Sequence, residues 1–410
     1  MSPALTLVII VALAYAATHL AYDWVARRLL IVSGAEYLVL GVLLGPQVAG
    51  VFSARVVDSL APIVTLALGW VGAIVGMQFH LPTLVRIRAI FFRLAFTEAL
   101  ATLALVAFVE LVVLERLLGV PRPLALGAAI ALGAIACASA PAAIEIAASS
   151  LGGSGPIVRQ LRIATAVDAF VAVAAFGLLL CVAHTAPTQS VRVPTATEWA
   201  VINLAVGVVA GALFHLFIGD EQKIDRLVIS LLGCIVLASG AAAYLDLSPL
   251  LTTMIVGIIL VNTSPRNAEQ IATVLVRGER PFYYVLLVFA GAAWQPSDQA
   301  AWPVAVVAFL VMRALAKVFA ARVATRASGA LPELGGDWGR ALLGQGGLAI
   351  ALALDYLRRD APPVPNVVFS AAVISVLLTD LSGARMVRSV LTPWLASARG
   401  RQSAAPGRER

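Results

Sequence analysis

Apolar runs of about 20 residues, each long enough to cross hydrocarbon, recur from one end of this 410-residue chain to the other. A backbone inside a bilayer must satisfy its own hydrogen bonds, so only helices and closed barrels can span it. These runs are continuous rather than alternating, which selects helices. Thirteen segments are expected, near 4–22, 31–46, 57–79, 90–114, 123–147, 158–183, 198–218, 226–245, 248–263, 281–294, 301–323, 340–357 and 366–392. Only 12% of residues are charged and the mean hydropathy is +0.95, well outside the range of soluble domains. The first run, Ala4 to Leu20, has no basic stretch before it and no clear cleavage site, so it reads as a spanning helix. The fold class expected is an all-α polytopic protein surrounded by lipid.

The formal charge is +7, but the basic residues sit in short loops and in the tail. That placement sets membrane orientation and gives no reason to expect a nucleic-acid partner. With the C-terminus inside, fifteen loop arginines and lysines fall inside, from Arg27 to Arg340, and six outside: Arg55, Arg116, Arg122, Arg192, Arg358 and Arg359. An outside N-terminus and a cytoplasmic C-terminus are expected. An odd helix count suits two six-helix units of opposite orientation joined by one helix. The membrane domain would cover 1–392, with repeat one at about 1–184, a linking helix at about 196–219, repeat two at about 224–392 and a short basic tail at 393–410. The stretches Gly34 to Pro46 and Leu247 to Asn262 are weakly alike, seven helices apart. Inverted repeats of this kind place a transport site between broken helices near the membrane centre.

Ionisable groups within a membrane are costly and therefore point to function. Asp168 lies about ten residues from the inner end of its segment, near the bilayer centre at about 1.5 Å per residue. A carboxylate there binds a cation or a proton, but seldom both. Arg313 and Lys317, four residues apart on the segment near 301–323, share a helix face and supply a basic partner. Two segments look built to break. Pro141 removes a backbone donor in the run Ala136 to Glu145. Gly344, Gly346 and Gly347 permit an unwound turn in the run Leu343 to Ile350. Ser139 and Gln345 would be the polar neighbours at those breaks, and Glu145 a second carboxylate of unfixed depth. Glu98, with Thr97 beside it, reads equally as a buried hydrogen-bonded acid with no transport role or as an acid with one. Cys137, Cys181 and Cys234 lie in apolar runs without metal-ligand spacing and read as inert thiols. No nucleophile–base–acid set is present, so no enzymatic activity and no cofactor are expected.

Taken in order, these residues resemble the monovalent cation/proton antiporter superfamily, the group of sodium/proton exchangers and Kef-type potassium efflux systems. The resemblance rests on the Leu-Gly-Pro exit at Leu44 to Pro46, the Ser139-x-Pro141 break, Asp168, the pattern Leu247 to Asn262, Arg313 with Lys317, and the run Gly344 to Ile350. It implies Na+ or K+ and H+ as partners, with Asp168 the metal-binding residue for the transported cation only. It also implies a homodimer whose core domain moves against a fixed dimerisation domain. Three positions depart from the family pattern. Val167 precedes Asp168 where relatives carry a polar residue, Ala140 precedes Pro141, and Gln345 stands where many relatives have arginine. With no second acid adjacent to Asp168, electroneutral one-for-one exchange is expected, and this turns on whether Lys317 is buried beside Asp168 or reaches the interface. A bacterial inner membrane is the expected residence. A sodium-coupled symporter of a related fold and a transport-inactive membrane sensor are the alternatives.

Overall fold

A computed structural model describes residues 35–151, 155–184, 194–218, 223–264, 268–297, 300–328, 337–359 and 364–403. The segment near 4–22, Arg27 and Arg28, and the tail arginines Arg408 and Arg410 lie outside the described residues. Every regular element among the described residues is helical: α1 (Ala35–Leu44), α2 (Ala54–Ser59), α3 (Ala61–Met77), α4 (Leu81–Leu84), α5 (Ala89–Arg116), α6 (Arg122–Cys137), α7 (Pro141–Ser150), α8 (Pro156–Ala183), α9 (Ala196–Ile218), α10 (Ile224–Tyr244), α11 (Pro249–Thr263), α12 (Ala268–Ala293), α13 (Trp302–Ser328), the short 3-10 helix η1 (Asp337–Leu342), α14 (Gly347–Leu357) and α15 (Val364–Ser403). Among the described residues, Ala89–Arg116, Arg122–Ser150, Pro156–Ala183, Ala196–Phe217, Ile224–Tyr244 and Trp302–Ala327 are long and apolar enough to cross a membrane. Helix α15 adds a pair of pieces bent by 55°, and α3, α11 and α14 are shorter apolar helices. The protein is a multi-pass integral membrane protein.

Proline does much of the local shaping. It stands in the first turn of α3, α6, α7, α8 and α11, where its missing N–H costs no hydrogen bond. One element departs from the sequence expectation. The segment placed at 281–294 is the second half of a 26-residue helix that begins at Ala268 and holds Pro281 in its interior. Its polar first half, with Glu269, Arg277, Glu279 and Arg280, masked the helix by breaking the apolar run. Arg277 and Arg280, expected in a loop, therefore lie inside a helix.

The helices pack in two groups. In one, α3 lies along α11 and also meets α10 and α12, with α9 against α11 and α1 against α12. Backbones approach closely where glycines allow it: a Cβ on Gly76 or Gly257 would collide with the carbonyl of Met254 or Ala73 across the α3–α11 contact. In the other group, α5 packs on α6, α8 and α13, while α15 packs on α7, η1, α13 and α14. This second group contains both expected breaks.

An arginine cluster ties the groups together at the end of α14. Arg359 donates to the Asp246 and Leu247 carbonyls at 2.6 Å each and to Asp355 Oδ1 at 3.1 Å. Ser248, the N-cap of α11, donates to the other Asp355 oxygen at 3.1 Å, and Arg358 reaches Thr65 of α3 at 3.2 Å. The Arg359 side chain is only 17% exposed, so its bonds are little screened. Arg359→Ala is expected to lower stability by about 2 kcal/mol, the scale of losing charge-assisted hydrogen bonds. Thermal unfolding in detergent reads this, with Arg359→Lys recovering part of the loss. A change within about 0.5 kcal/mol, the size of an ordinary surface substitution, would show that the cluster holds nothing together.

Candidate functional site

Two interrupted helices meet at the centre of the second group. The first ends at Cys137 and resumes at Pro141. Ala138 and Ala140 are extended, with φ −55°, ψ 126° and φ −84°, ψ 107°. Pro141 explains the second, because a residue before proline is pushed out of helical conformation. The other interruption runs from η1, ending at Leu342, to α14, starting at Gly347. The two breaks are joined directly: the Ala140 N–H donates to the Gly344 carbonyl at 2.9 Å. Gly347 is needed for packing, since a Cβ there would enter the ring of Tyr283, whereas Gly344 and Gly346 meet only ordinary contacts.

Four half-helix ends therefore come together, and the carbonyls at the two C-terminal ends find side-chain partners. Arg313 of α13, 2% exposed, donates to the carbonyls of Ala136 (3.2 Å), Ala138 (3.1 Å) and Leu343 (2.8 Å). These oxygens stand at the C-terminal ends of α6 and η1, where the helix dipole is negative. One guanidinium thus caps two helix ends. Gln345 braces the crossing rather than opening toward a ligand. Its side-chain nitrogen donates to the Ile135 carbonyl at 2.7 Å, and its oxygen accepts from Ser375 of α15 at 2.5 Å.

Asp168, near the middle of α8, is fully buried next to the crossing. Its Oδ2 accepts from Ser139 at 2.7 Å and from the Lys317 ammonium at 2.7 Å. Its Oδ1 has no hydrogen-bond partner among the described residues. The Ser139 hydroxyl also lies 3.1 Å from the Leu342 carbonyl, so it spans both breaks. Lys317 is 0% exposed and sits beside Asp168; it does not reach an interface.

Sequence reasoning missed the second partner of that lysine. Glu98 of α5, also 0% exposed, places Oε1 at 3.2 Å from Lys317. It accepts from Thr102, one turn on, at 2.9 Å, and Thr97 has no part in this. Its Oε2 is unpartnered among the described residues. The signal available was the pair Glu98–Thr102 at helical spacing inside an apolar helix. Glu145 is not brought to this cluster. It pairs with Arg162 at 2.7 Å, both side chains more than half exposed. Around the cluster, the Cys137 thiol donates to the Ala99 carbonyl at 3.1 Å, and all three cysteines are free and buried.

Crossed helix breaks with buried ions at their junction define a class of membrane protein in which unwound backbone lines a site. The chain shares this fold with the sodium proton antiporter MjNhaP1 from Methanocaldococcus jannaschii. One structure of that protein, at pH 8, matches with a TM-score of 0.71 at 14% identity over 95% of this chain and 99% of that one. An electron-microscopy structure of it matches with a TM-score of 0.65 at 16% identity over the full length of both. No protein-family model and no curated protein matches the sequence.

Proposed function

We propose that the chain is a secondary active antiporter that exchanges a monovalent cation, Na+ or K+, for protons across a membrane. One observation carries this reading: Asp168 is a fully buried carboxylate with one oxygen held by Ser139 and Lys317 and the other unpartnered among the described residues. A buried anion without full compensation is costly, and a proton or a desolvated monovalent cation relieves that cost. Each removes the reason for the other to bind, and this exclusion is what couples the two flows. The structural neighbour, a sodium proton antiporter, points the same way.

In this reading Asp168 is the ion- and proton-binding residue, Ser139 its first neutral ligand and Lys317 its resident counter-charge. Arg313 and Gln345 hold the helix breaks at Pro141 and at Gly344, Gly346 and Gly347 in place. The repeats at about 1–184 and 224–392, joined by the helix at about 196–219, are part of the same proposal: the fifth helix of each is the one that breaks. So are a homodimer, a bacterial inner membrane, an outside N-terminus and a cytoplasmic C-terminus.

Purified protein in proteoliposomes provides the test. An imposed pH gradient is expected to drive uptake of Na+ or K+, and an imposed cation gradient to move protons the opposite way. Sodium-dependent uptake of an organic solute without proton movement would establish symport instead. Silence under every gradient would leave a sensor.

A further inference from the structure

The buried cluster contains more charge than a single-carboxylate site requires. Lys317 stands between two fully buried carboxylates, 2.7 Å from Asp168 and 3.2 Å from Glu98. The other ionisable groups near the two carboxylates are Arg313, on the helix of Lys317, and Cys137 of α6. Arg313 is engaged by three backbone carbonyls at the ends of two helices. Its hydrogen bonds are therefore spent on backbone oxygens and not on Asp168 or Glu98. The Cys137 thiol is spent on the Ala99 carbonyl. Two carboxylates and one ammonium are left in direct contact, with a net charge of −1 among the three. Each carboxylate keeps one oxygen without a hydrogen-bond partner among the described residues, Asp168 Oδ1 and Glu98 Oε2.

We propose that Glu98 is a charge-setting residue of the transport site: it holds the Lys317 proton in place while a cation occupies Asp168, so that the one proton exchanged for each monovalent cation comes from the carboxylates and not from the lysine. This rests on the antiport reading above. An incoming cation draws Asp168 away from the lysine. With Asp168 as its only partner, Lys317 would be left as an uncompensated buried charge and would shed its proton. With Glu98 3.2 Å away, the ammonium keeps an anion at contact and stays charged. The proton displaced by the cation then comes from the carboxylate pair and leaves to the water on the side from which the cation entered. The cluster is neutral when loaded with a proton and neutral when loaded with a cation, so neither half of the cycle moves charge.

The same arithmetic makes the cluster's response to substitution unusual. Glu98→Gln leaves Asp168 and Lys317 as a closed neutral pair with nothing to attract a cation. Glu98→Gln combined with Lys317→Gln leaves Asp168 alone and restores the charge of −1. Cation-dependent proton flux in proteoliposomes is measured with and without an imposed membrane potential. Wild type is expected to be insensitive to potential. Glu98→Gln is expected to raise the apparent cation KM by about tenfold or more, a factor equivalent to about 1.4 kcal/mol, while the double variant returns toward wild type and is again insensitive to potential.

Glu98→Gln with unchanged flux would overturn the proposal, because a glutamine imitates a protonated acid of purely structural use. A double variant no better than the single one would overturn it as well, and so would wild-type flux driven by potential. Should Glu98→Gln fail to fold, the double variant decides alone: electroneutral flux supports the proposal and absence of flux overturns it. Asp168→Asn separates the two levels. Flux that survives Asp168→Asn removes the antiport reading itself, whereas loss there with a silent Glu98→Gln removes only the role of Glu98.

Discussion

Asp168→Asn is expected to abolish cation-dependent proton flux, by at least about a thousandfold, while leaving a folded protein. The asparagine keeps the shape of the side chain and can still accept from Ser139 and Lys317, which stand at 2.7 Å each from Oδ2 in the native protein. What it removes is the negative charge. Bringing a monovalent cation out of water to a buried site costs several kcal/mol unless an anion meets it, and about 4 kcal/mol of lost attraction already amounts to a factor of about a thousand. The cluster with asparagine has one carboxylate, Glu98, already engaged by Lys317 at 3.2 Å. It offers no surplus charge to either ion. Gel filtration in detergent and a thermal unfolding curve near that of wild type would show that the fold survives. Flux in the folded variant within tenfold of wild type would mean that the ion is carried elsewhere.

Replacement of Arg313 is expected to have the largest effect on stability. This side chain supports Ala136, Ala138 and Leu343, the carbonyls on which the two broken helices end. Each buried acceptor left without a donor costs about 1–3 kcal/mol, and removal of one partner from a buried charged arrangement costs about 3–5 kcal/mol. Arg313→Met fills most of the space and supplies no donor, so a loss on the order of 3–5 kcal/mol is expected, a large share of a folded protein's stability. Arg313→Lys has donors but lacks the planar fork that reaches several carbonyls at once, and should recover only part. Arg122, whose side chain is 83% exposed and 3.7 Å from Glu115, serves as the contrast. Its removal is expected to change stability by less than about 0.5 kcal/mol. Thermal unfolding in detergent compares the three. Equal stability of Arg313→Met and wild type would show that the helix ends are satisfied by something other than this arginine.

The sequence was most informative where one residue constrains the backbone by itself. Pro141 removes a backbone donor and disfavours helix at the residue before it, and the chain breaks within three residues of it, whereas Pro281 is accommodated inside α12. Asp168 stood out because a lone carboxylate in an apolar run is too costly to keep without a partner or a bound ion, and it lies buried against the break as expected. Arg313 and Lys317 were legible as a pair on one face, but their different duties were not: one caps helix ends and the other joins two acids. That division depends on which helices cross, which no local pattern encodes. Glu98 illustrates the same limit. It lies 70 residues before Asp168 and 219 before Lys317, and only the packing of α5 on α8 and α13 brings the three together. Glu145 erred in the opposite direction. Its place just after Pro141 suggested the site, yet it extends from α7 toward Arg162 and solvent. Helix α12 was misjudged because charged residues in its first half resemble a loop when hydropathy is the guide.

Mutual exclusion of cation and proton at Asp168 is the central claim, and proton release on cation binding measures it most directly. Purified protein in weakly buffered detergent solution is titrated with NaCl or KCl while a pH indicator or a glass electrode records released protons, with choline chloride as the ionic-strength control. Antiport through Asp168, with Lys317 kept charged by Glu98, predicts release of about one proton per chain at saturation. The release should diminish as the starting pH rises and the proton is already gone, and it should be absent in Asp168→Asn. Saturable cation binding without proton release, or release undiminished in Asp168→Asn, would contradict it.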